Sequence, residues 1–64
     1  MVSDLIYYCR VKGNEQWDQV SDHPSRPLAG VVSLWAKSNS LEDKMMVEIK
    51  CSEGDKIQEI EYIK

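Results

Sequence analysis

The segment from Leu28 to Ala36 constrains the fold of this chain most, because its apolar residues fall together on a helical wheel. The polar stripe opposite them is narrow and contains Arg26, Gly30, Ser33 and Lys37. Such segregation is typical of a helix that packs one face on a core, and we predict a helix here. A strand is the competing interpretation, because the segment contains adjacent valines and a glycine, which weakens a helix by about 1 kcal/mol.

The residues that flank this segment indicate where the helix begins and ends. Ser25 is a candidate N-cap, because its hydroxyl can accept a hydrogen bond from the first turn. Pro27 suits the first turn, where its missing N–H is not required, and Asn39 suits a left-handed stop. Residues 21–27 contain two prolines that withhold backbone donors, so they are predicted to form a connection.

Four shorter segments have the composition or the alternating pattern of strands. In residues 4–12 the odd positions are apolar, and in residues 45–52 apolar and charged residues alternate. A short strand over residues 15–20 would complete a hairpin with the first strand around the turn signal Gly13–Asn14. Residues 56–64 are predicted to be the last strand. A helix is the alternative there, because three isoleucines also lie at helical spacing.

The last two predicted strands form a hairpin if Glu53–Gly54 is a two-residue turn, with glycine where a positive φ is often required. The apolar faces of the two strands then match. The hairpin aligns three pairs of residues: Ser52 with Asp55, Val47 with Ile60, and Met45 with Tyr62.

The order of these elements predicts an α+β fold, β-β-α-β-β, in which one helix covers one face of an antiparallel four-stranded sheet. A chain of 64 residues buries only roughly 60 per cent of its unfolded surface, so residues 1–64 are expected to form a single domain. If the central segment is a strand instead, the alternative is a five-stranded barrel of the SH3-like or OB-like kind.

Eleven acidic and eight basic residues give the chain a formal net charge of −3. This charge disfavours nucleic acid as a partner, since basic residues supply most non-specific affinity for DNA and RNA. No apolar run reaches the roughly 18 residues of a membrane span, and no basic segment of a signal peptide precedes Asp4. We therefore expect a cytoplasmic protein without a membrane partner.

The residue types that carry chemistry in other proteins form no recognisable constellation in this sequence. Cys9 and Cys51 are not part of a C-x-x-C pair, and His23 is the only histidine. Both cysteines lie on the apolar phase of predicted strands, where they are expected to be reduced and buried. The sequence therefore predicts no metal, no cofactor and no enzymatic activity.

The second face of the predicted sheet is the candidate site, because a single helix cannot cover both faces. Apolar side chains surrounded by charged ones give this face the character of a binding surface. The candidate binding residues are Ile6, Tyr8, Arg10, Met46, Ile57, Glu59, Glu61 and Ile63. The two tryptophans, Trp17 and Trp35, are expected in the core.

These observations predict a small non-enzymatic protein-binding module whose partner is a larger protein or a second copy of the chain. The expected use is that of a regulator or inhibitor, of the kind that phages and mobile elements encode. The alternative is a small nucleic-acid-binding domain in which Tyr8, Arg10 and Lys12 form a stacking platform. The neighbouring Glu59 and Glu61 would weaken the electrostatic attraction of such a platform.

Overall fold

The structure is a computed structural model that describes residues 4–54 and 56–64. It contains four antiparallel strands and one helix packed on one face of the sheet, which confirms the predicted α+β fold and the β-β-α-β-β order. The five-stranded barrel and the C-terminal helix are therefore wrong. The elements are β1 (Leu5–Val11), β2 (Asp18–Asp22), α1 (Leu28–Ser38), β3 (Met45–Cys51) and β4 (Gln58–Tyr62).

The strands lie in the order β2–β1–β3–β4, so the two central strands are distant in sequence. The pairs Val47–Ile60 and Met45–Tyr62 form as predicted, and a slip by one residue would turn the apolar side chains of one strand to the opposite face. The predicted pairing of Ser52 with Asp55 lies outside the described residues.

The connection from β3 to β4 differs from the predicted two-residue turn. β3 ends at Cys51 and β4 begins at Gln58, so the connection is longer. A hydrogen bond of 3.1 Å from Gly54 N to Cys51 O closes a turn at its start. Gly54 does not have a positive φ, whereas Gly13 does, at 97°. The glycine that the backbone requires is therefore in the first hairpin and not in the second.

The core lies between α1 and the inner face of the sheet, and Trp35 is part of it, as predicted. Leu34, by contrast, is 45% exposed, so the buried face of α1 is narrower than the apolar arc of the wheel. In the part of the chain that the structure describes, the buried core residues are Tyr7, Cys9, Val31, Val32, Trp35, Ala36, Val47, Ile49 and Tyr62.

β2 begins at Asp18, three residues later than the predicted start, and continues through Asp22 into the predicted connection. The turn after β1, closed by a hydrogen bond of 2.9 Å from Asn14 N to Val11 O, sets this position. Val20 then pairs with Tyr7 and packs against the core. This placement leaves the preceding residues outside the ladder.

The predicted N-cap of α1 is wrong, because Pro27 occupies that position and no side chain caps the helix. The Ser25 hydroxyl lies 2.6 Å from His23 Nδ1 instead, so it is engaged within the loop. Asn39 is the C-cap as predicted, but its φ is −102°, and the left-handed residue is Ser40. Asn39 Nδ2 donates a hydrogen bond of 2.8 Å to Trp35 O, which explains its position at the helix end.

Candidate functional site

The candidate site is the sheet surface turned away from α1, which we call the outer face. Alternation along the strands places on it six of the eight residues predicted to bind: Ile6, Tyr8, Arg10, Met46, Glu59 and Glu61. Ile57 lies next to Tyr8 at the end of the β3–β4 connection. Ile63 follows β4 and is 60% exposed. The described outer face also carries Lys12, Glu48 and Lys50.

Trp17 is on the outer face, so the prediction that it lies in the core is wrong. The β1–β2 register pairs Cys9 with Asp18, and the preceding position, 17, therefore faces Arg10. Arg10 Cζ is 4.1 Å from the centroid of the Trp17 ring, and Lys50 Nζ is 4.5 Å from it. Two cations over one ring hold the indole against the outer face by cation–π attraction.

The signal that could have located Trp17 is the turn at Gly13–Asn14. Counting residue pairs outward from that turn gives Trp17 the same phase as Arg10, and an arginine beside a tryptophan is a frequent cation–π pair. Trp17 and Val20 lie three positions apart and cannot face the same side of a regular strand, and it is Val20 that packs against the core.

Arg10 is also held by an ion pair within the outer face. Its Nε donates a hydrogen bond of 2.8 Å to Glu48 Oε1, and the side chains are only 23% and 15% exposed. A second pair, Lys12 Nζ to Glu59 Oε1 at 2.9 Å, is much more exposed. The hydrogen bond to Glu59 raises the pKa of Lys12. The ion pair between Arg10 and Glu48 holds both side chains in place at the centre of the outer face, because partial burial limits the screening of their attraction by solvent.

The charges of the outer face are balanced in number but separated in position. Its three described basic residues lie on β1, directly after β1 and on β3, and two of its three described acidic residues lie on β4. The basic set is Arg10, Lys12 and Lys50, and the acidic set is Glu48, Glu59 and Glu61. The outer face therefore has no net positive charge that would attract a phosphate backbone, and its border along β4 is acidic.

Exposed apolar groups lie among these charges. Ile6 and Met46 are 36% and 37% exposed on the described outer face, and Ile57 is 45% exposed beside it. A shallow depression of about 200 Å³ opens between Tyr8 and Ile57. Its other lining residues are Lys50, Cys51, Ser52 and Gly54. The depression is smaller than the roughly 300 Å³ of the smallest usual ligand pockets.

The two cysteines differ in exposure. Cys9 is buried, whereas Cys51 is half-buried and lines the depression, so the prediction of two buried thiols is wrong for Cys51. Burial raises the pKa of the Cys9 thiol to about 11, which leaves it protonated at neutral pH. At the end of β2, Asp22 accepts a hydrogen bond from the backbone N–H of His23, not from its ring. Within residues 4–54 and 56–64, no three His, Cys, Asp or Glu side chains form a cluster that could hold a metal ion.

In the described part of the chain, no helix is both long enough and apolar enough to cross a membrane. Comparisons of the sequence with models of protein families and with curated proteins, and of the structure with solved structures, find no match for this chain. Functional inference therefore rests on the geometry and chemistry of the outer face.

Proposed function

We propose that this protein is a non-enzymatic binding module that docks a larger protein on its outer face. The observation that carries the proposal is the combination of Trp17, Tyr8 and Arg10 on a sheet surface that α1 does not cover. Tryptophan, tyrosine and arginine are the residues most enriched among binding hot spots. The exposed Ile6 and Met46 add apolar area beside them.

The arrangement of these side chains also supports binding without a large entropic cost. Arg10 is held by Glu48 at 2.8 Å and lies over the Trp17 ring, while Lys50 lies over both Trp17 and Tyr8. Side chains that are already fixed in the free protein lose little conformational freedom when a partner covers them.

The biological role that we attach to this module is that of a cytoplasmic regulator or inhibitor. The described residues bring together neither a metal cluster nor an enclosed pocket of ligand size on the outer face. A module of this kind acts by covering a surface of its partner or by blocking another molecule from it.

A second candidate function is binding of single-stranded nucleic acid, favoured by the two aromatic rings and the three basic residues of the outer face. Bases stack on such rings, and cations strengthen the contact. Against this function, Glu48 and Glu59 already neutralise Arg10 and Lys12.

Three variants test the proposal. Tyr8→Glu and Met46→Glu place a new charge on the outer face, and Lys37→Glu places one on the exposed side of α1. Each variant would be checked by circular dichroism and used as bait, with a photo-crosslinker at position 19, in extracts of the source cell. A protein crosslinked to the wild type and to Lys37→Glu, but not to the two outer-face variants, is the expected result.

Two results would contradict the proposal. Equal crosslinking by all baits would place the interaction elsewhere on the molecule. Quenching of tryptophan fluorescence by an oligothymidine, lost on addition of salt, would favour the nucleic-acid function instead. Light scattering of the free protein reports in addition whether a second copy occupies the outer face, in which case Tyr8→Glu should dissociate the dimer.

A further inference from the structure

The free edge of β4 is the feature of the outer face that best defines a partner. Among residues 4–54 and 56–64, which form a sheet in the order β2–β1–β3–β4, β4 has a hydrogen-bonded neighbour on one side only. A strand edge of this kind presents unpaired N–H and C=O groups to which another strand can be added. We propose, on the basis of the proposed function, that an extended segment of the partner with basic residues at alternate positions adds to β4 as a fifth strand.

The strand register shows which backbone groups of β4 point outward. Lys12 N donates a hydrogen bond of 3.0 Å to Met46 O, so the even-numbered residues of β3 bond to β1 and the odd-numbered ones to β4. The β4 partners of those odd-numbered residues are Gln58, Ile60 and Tyr62. The N–H and C=O groups of Glu59 and Glu61 therefore point away from the sheet and form the free edge.

The side chains of these two residues specify the charge of the added strand. Glu59 and Glu61 both lie on the outer face and are exposed. Glu59 contacts Lys12, whereas Glu61 forms no ion pair with another described residue. Exposed Ile57 and Ile63 flank them in sequence. A complementary strand would carry two basic residues at alternate positions between apolar residues, because opposite charges on facing positions stabilise a strand pair.

The same charges disfavour a second copy of this chain as the added strand. Two β4 strands related by a two-fold axis would keep their outer faces on the same side. Their central pairs would then be Glu59 with Glu59, Glu61 with Glu61, or Glu59 with Glu61. Each register sets two carboxylates directly opposite one another, which destabilises a strand pair. The occupant is therefore a strand of a different protein.

A pair of synthetic peptides tests this inference. The probe is acetyl-Val-Thr-Arg-Thr-Arg-Thr-Val-amide, and its control has glutamate in place of both arginines. In NMR titrations of the full chain, the basic peptide is expected to bind at least tenfold more tightly than the acidic one. It should slow hydrogen exchange at the amides of Glu59 and Glu61 and leave the amide of Ile60 unchanged, since that group already bonds to β3.

Proline at an outward-facing position provides a matched pair of variants. Glu61→Pro removes an outward N–H from β4 and keeps every β3–β4 hydrogen bond, so it should weaken the basic peptide at least tenfold. Gln19→Pro removes an outward N–H from the other edge strand, β2, and should leave binding unchanged. Any of three results would overturn the inference: the basic peptide does not bind, both peptides bind equally well, or Glu61→Pro binds the basic peptide as tightly as the wild type does.

The partner captured in the crosslinking experiment separates this inference from the proposed function. If Tyr8→Glu loses that partner and Glu61→Pro keeps it, the edge inference is wrong and docking on the outer face stands. If neither variant loses it, the proposed function itself is wrong.

Discussion

Trp35 provides the sharpest test of how α1 packs on the sheet. Its side chain is 8% exposed and belongs to the core cluster. The indole Nε1 is buried, and no acceptor within the described part of the chain reaches it. Substitutions at this one position can therefore separate the contribution of the ring from that of the unpaired N–H.

Trp35→Ala removes the whole ring and should destabilise the protein by about 3–5 kcal/mol, as is usual for large aromatic residues in cores. A domain of 64 residues has a total stability of about 3–10 kcal/mol. Each kcal/mol lowers the Tm of a small domain by about 4–8 °C. The variant is therefore expected to be unfolded at room temperature or to melt at least about 12 °C below the wild type.

Trp35→Phe keeps an aromatic ring and removes three heavy atoms, one of which is the unpaired nitrogen. The loss of two buried carbons costs about 1.6 kcal/mol. Removal of a buried donor that has no partner should increase the free energy of unfolding by about 1–3 kcal/mol. The net change is expected to lie within about 1.5 kcal/mol of zero, far from the effect of alanine.

Urea unfolding followed by circular dichroism measures both changes, and Trp17 remains as the single tryptophan in each Trp35 variant. Leu34→Ala is the control, because this neighbouring residue on α1 is largely exposed and its truncation should have little effect. A loss of about 3 kcal/mol or more for Trp35→Phe, which is the lower limit expected for alanine, would show that the indole N–H is bonded. An unchanged melting curve for Trp35→Ala would refute the orientation of α1.

Three further predictions concern other parts of the fold. Because burial raises the pKa of Cys9 to about 11, the unfolded thiol deprotonates first, and stability should fall as the pH rises from about 9 towards about 11. Cys9→Ala should reduce that fall in urea melts, and an unchanged slope would contradict the assignment. Gly13→Ala should destabilise the protein by about 1–2 kcal/mol, because φ is 97° at this position. Gly54→Ala is the control and should be neutral. Equal melting temperatures for the two variants would count against this reasoning. Arg10→Ala should destabilise the protein by about 1–3 kcal/mol, because it leaves the half-buried Glu48 without its partner. A double-mutant cycle with Glu48→Gln that shows no coupling would argue against this prediction.

The elements with strict periodicity were predictable from the sequence. β1, β3 and α1 each bury a regularly spaced set of apolar residues, so their positions follow from period alone. The predicted position of β2 was wrong, because its five residues contain one apolar side chain, Val20, and such a short pattern does not define a phase. The N-cap was wrong for another reason, since Ser25 bonds to His23 in a loop network that no propensity describes.

The candidate site was predictable as a surface but not in its detail. Alternation along β1 and β3 is enough to place Tyr8 and Met46 on the face opposite the one that α1 covers. The role of Trp17 was missed, because its environment depends on Arg10 and Lys50 from two other strands. Contacts of that kind depend on side-chain conformations across several strands, and hydropathy does not encode them.

The position of β1 and β3 at the centre of the sheet also determines how the chain reaches its native state. The pairs Tyr7–Cys51 and Val11–Val47 join residues separated by most of the chain, whereas β2 and β4 pair with strands close to them in sequence. Neither two-stranded hairpin is stable on its own in water. The central ladder therefore forms only after the intervening 35 or more residues, α1 included, have been brought together, and this loop closure slows folding relative to a helical bundle of equal size. A nascent chain that ends before β3 consequently holds its first hairpin exposed, and the central ladder can form only when β3 has been synthesised.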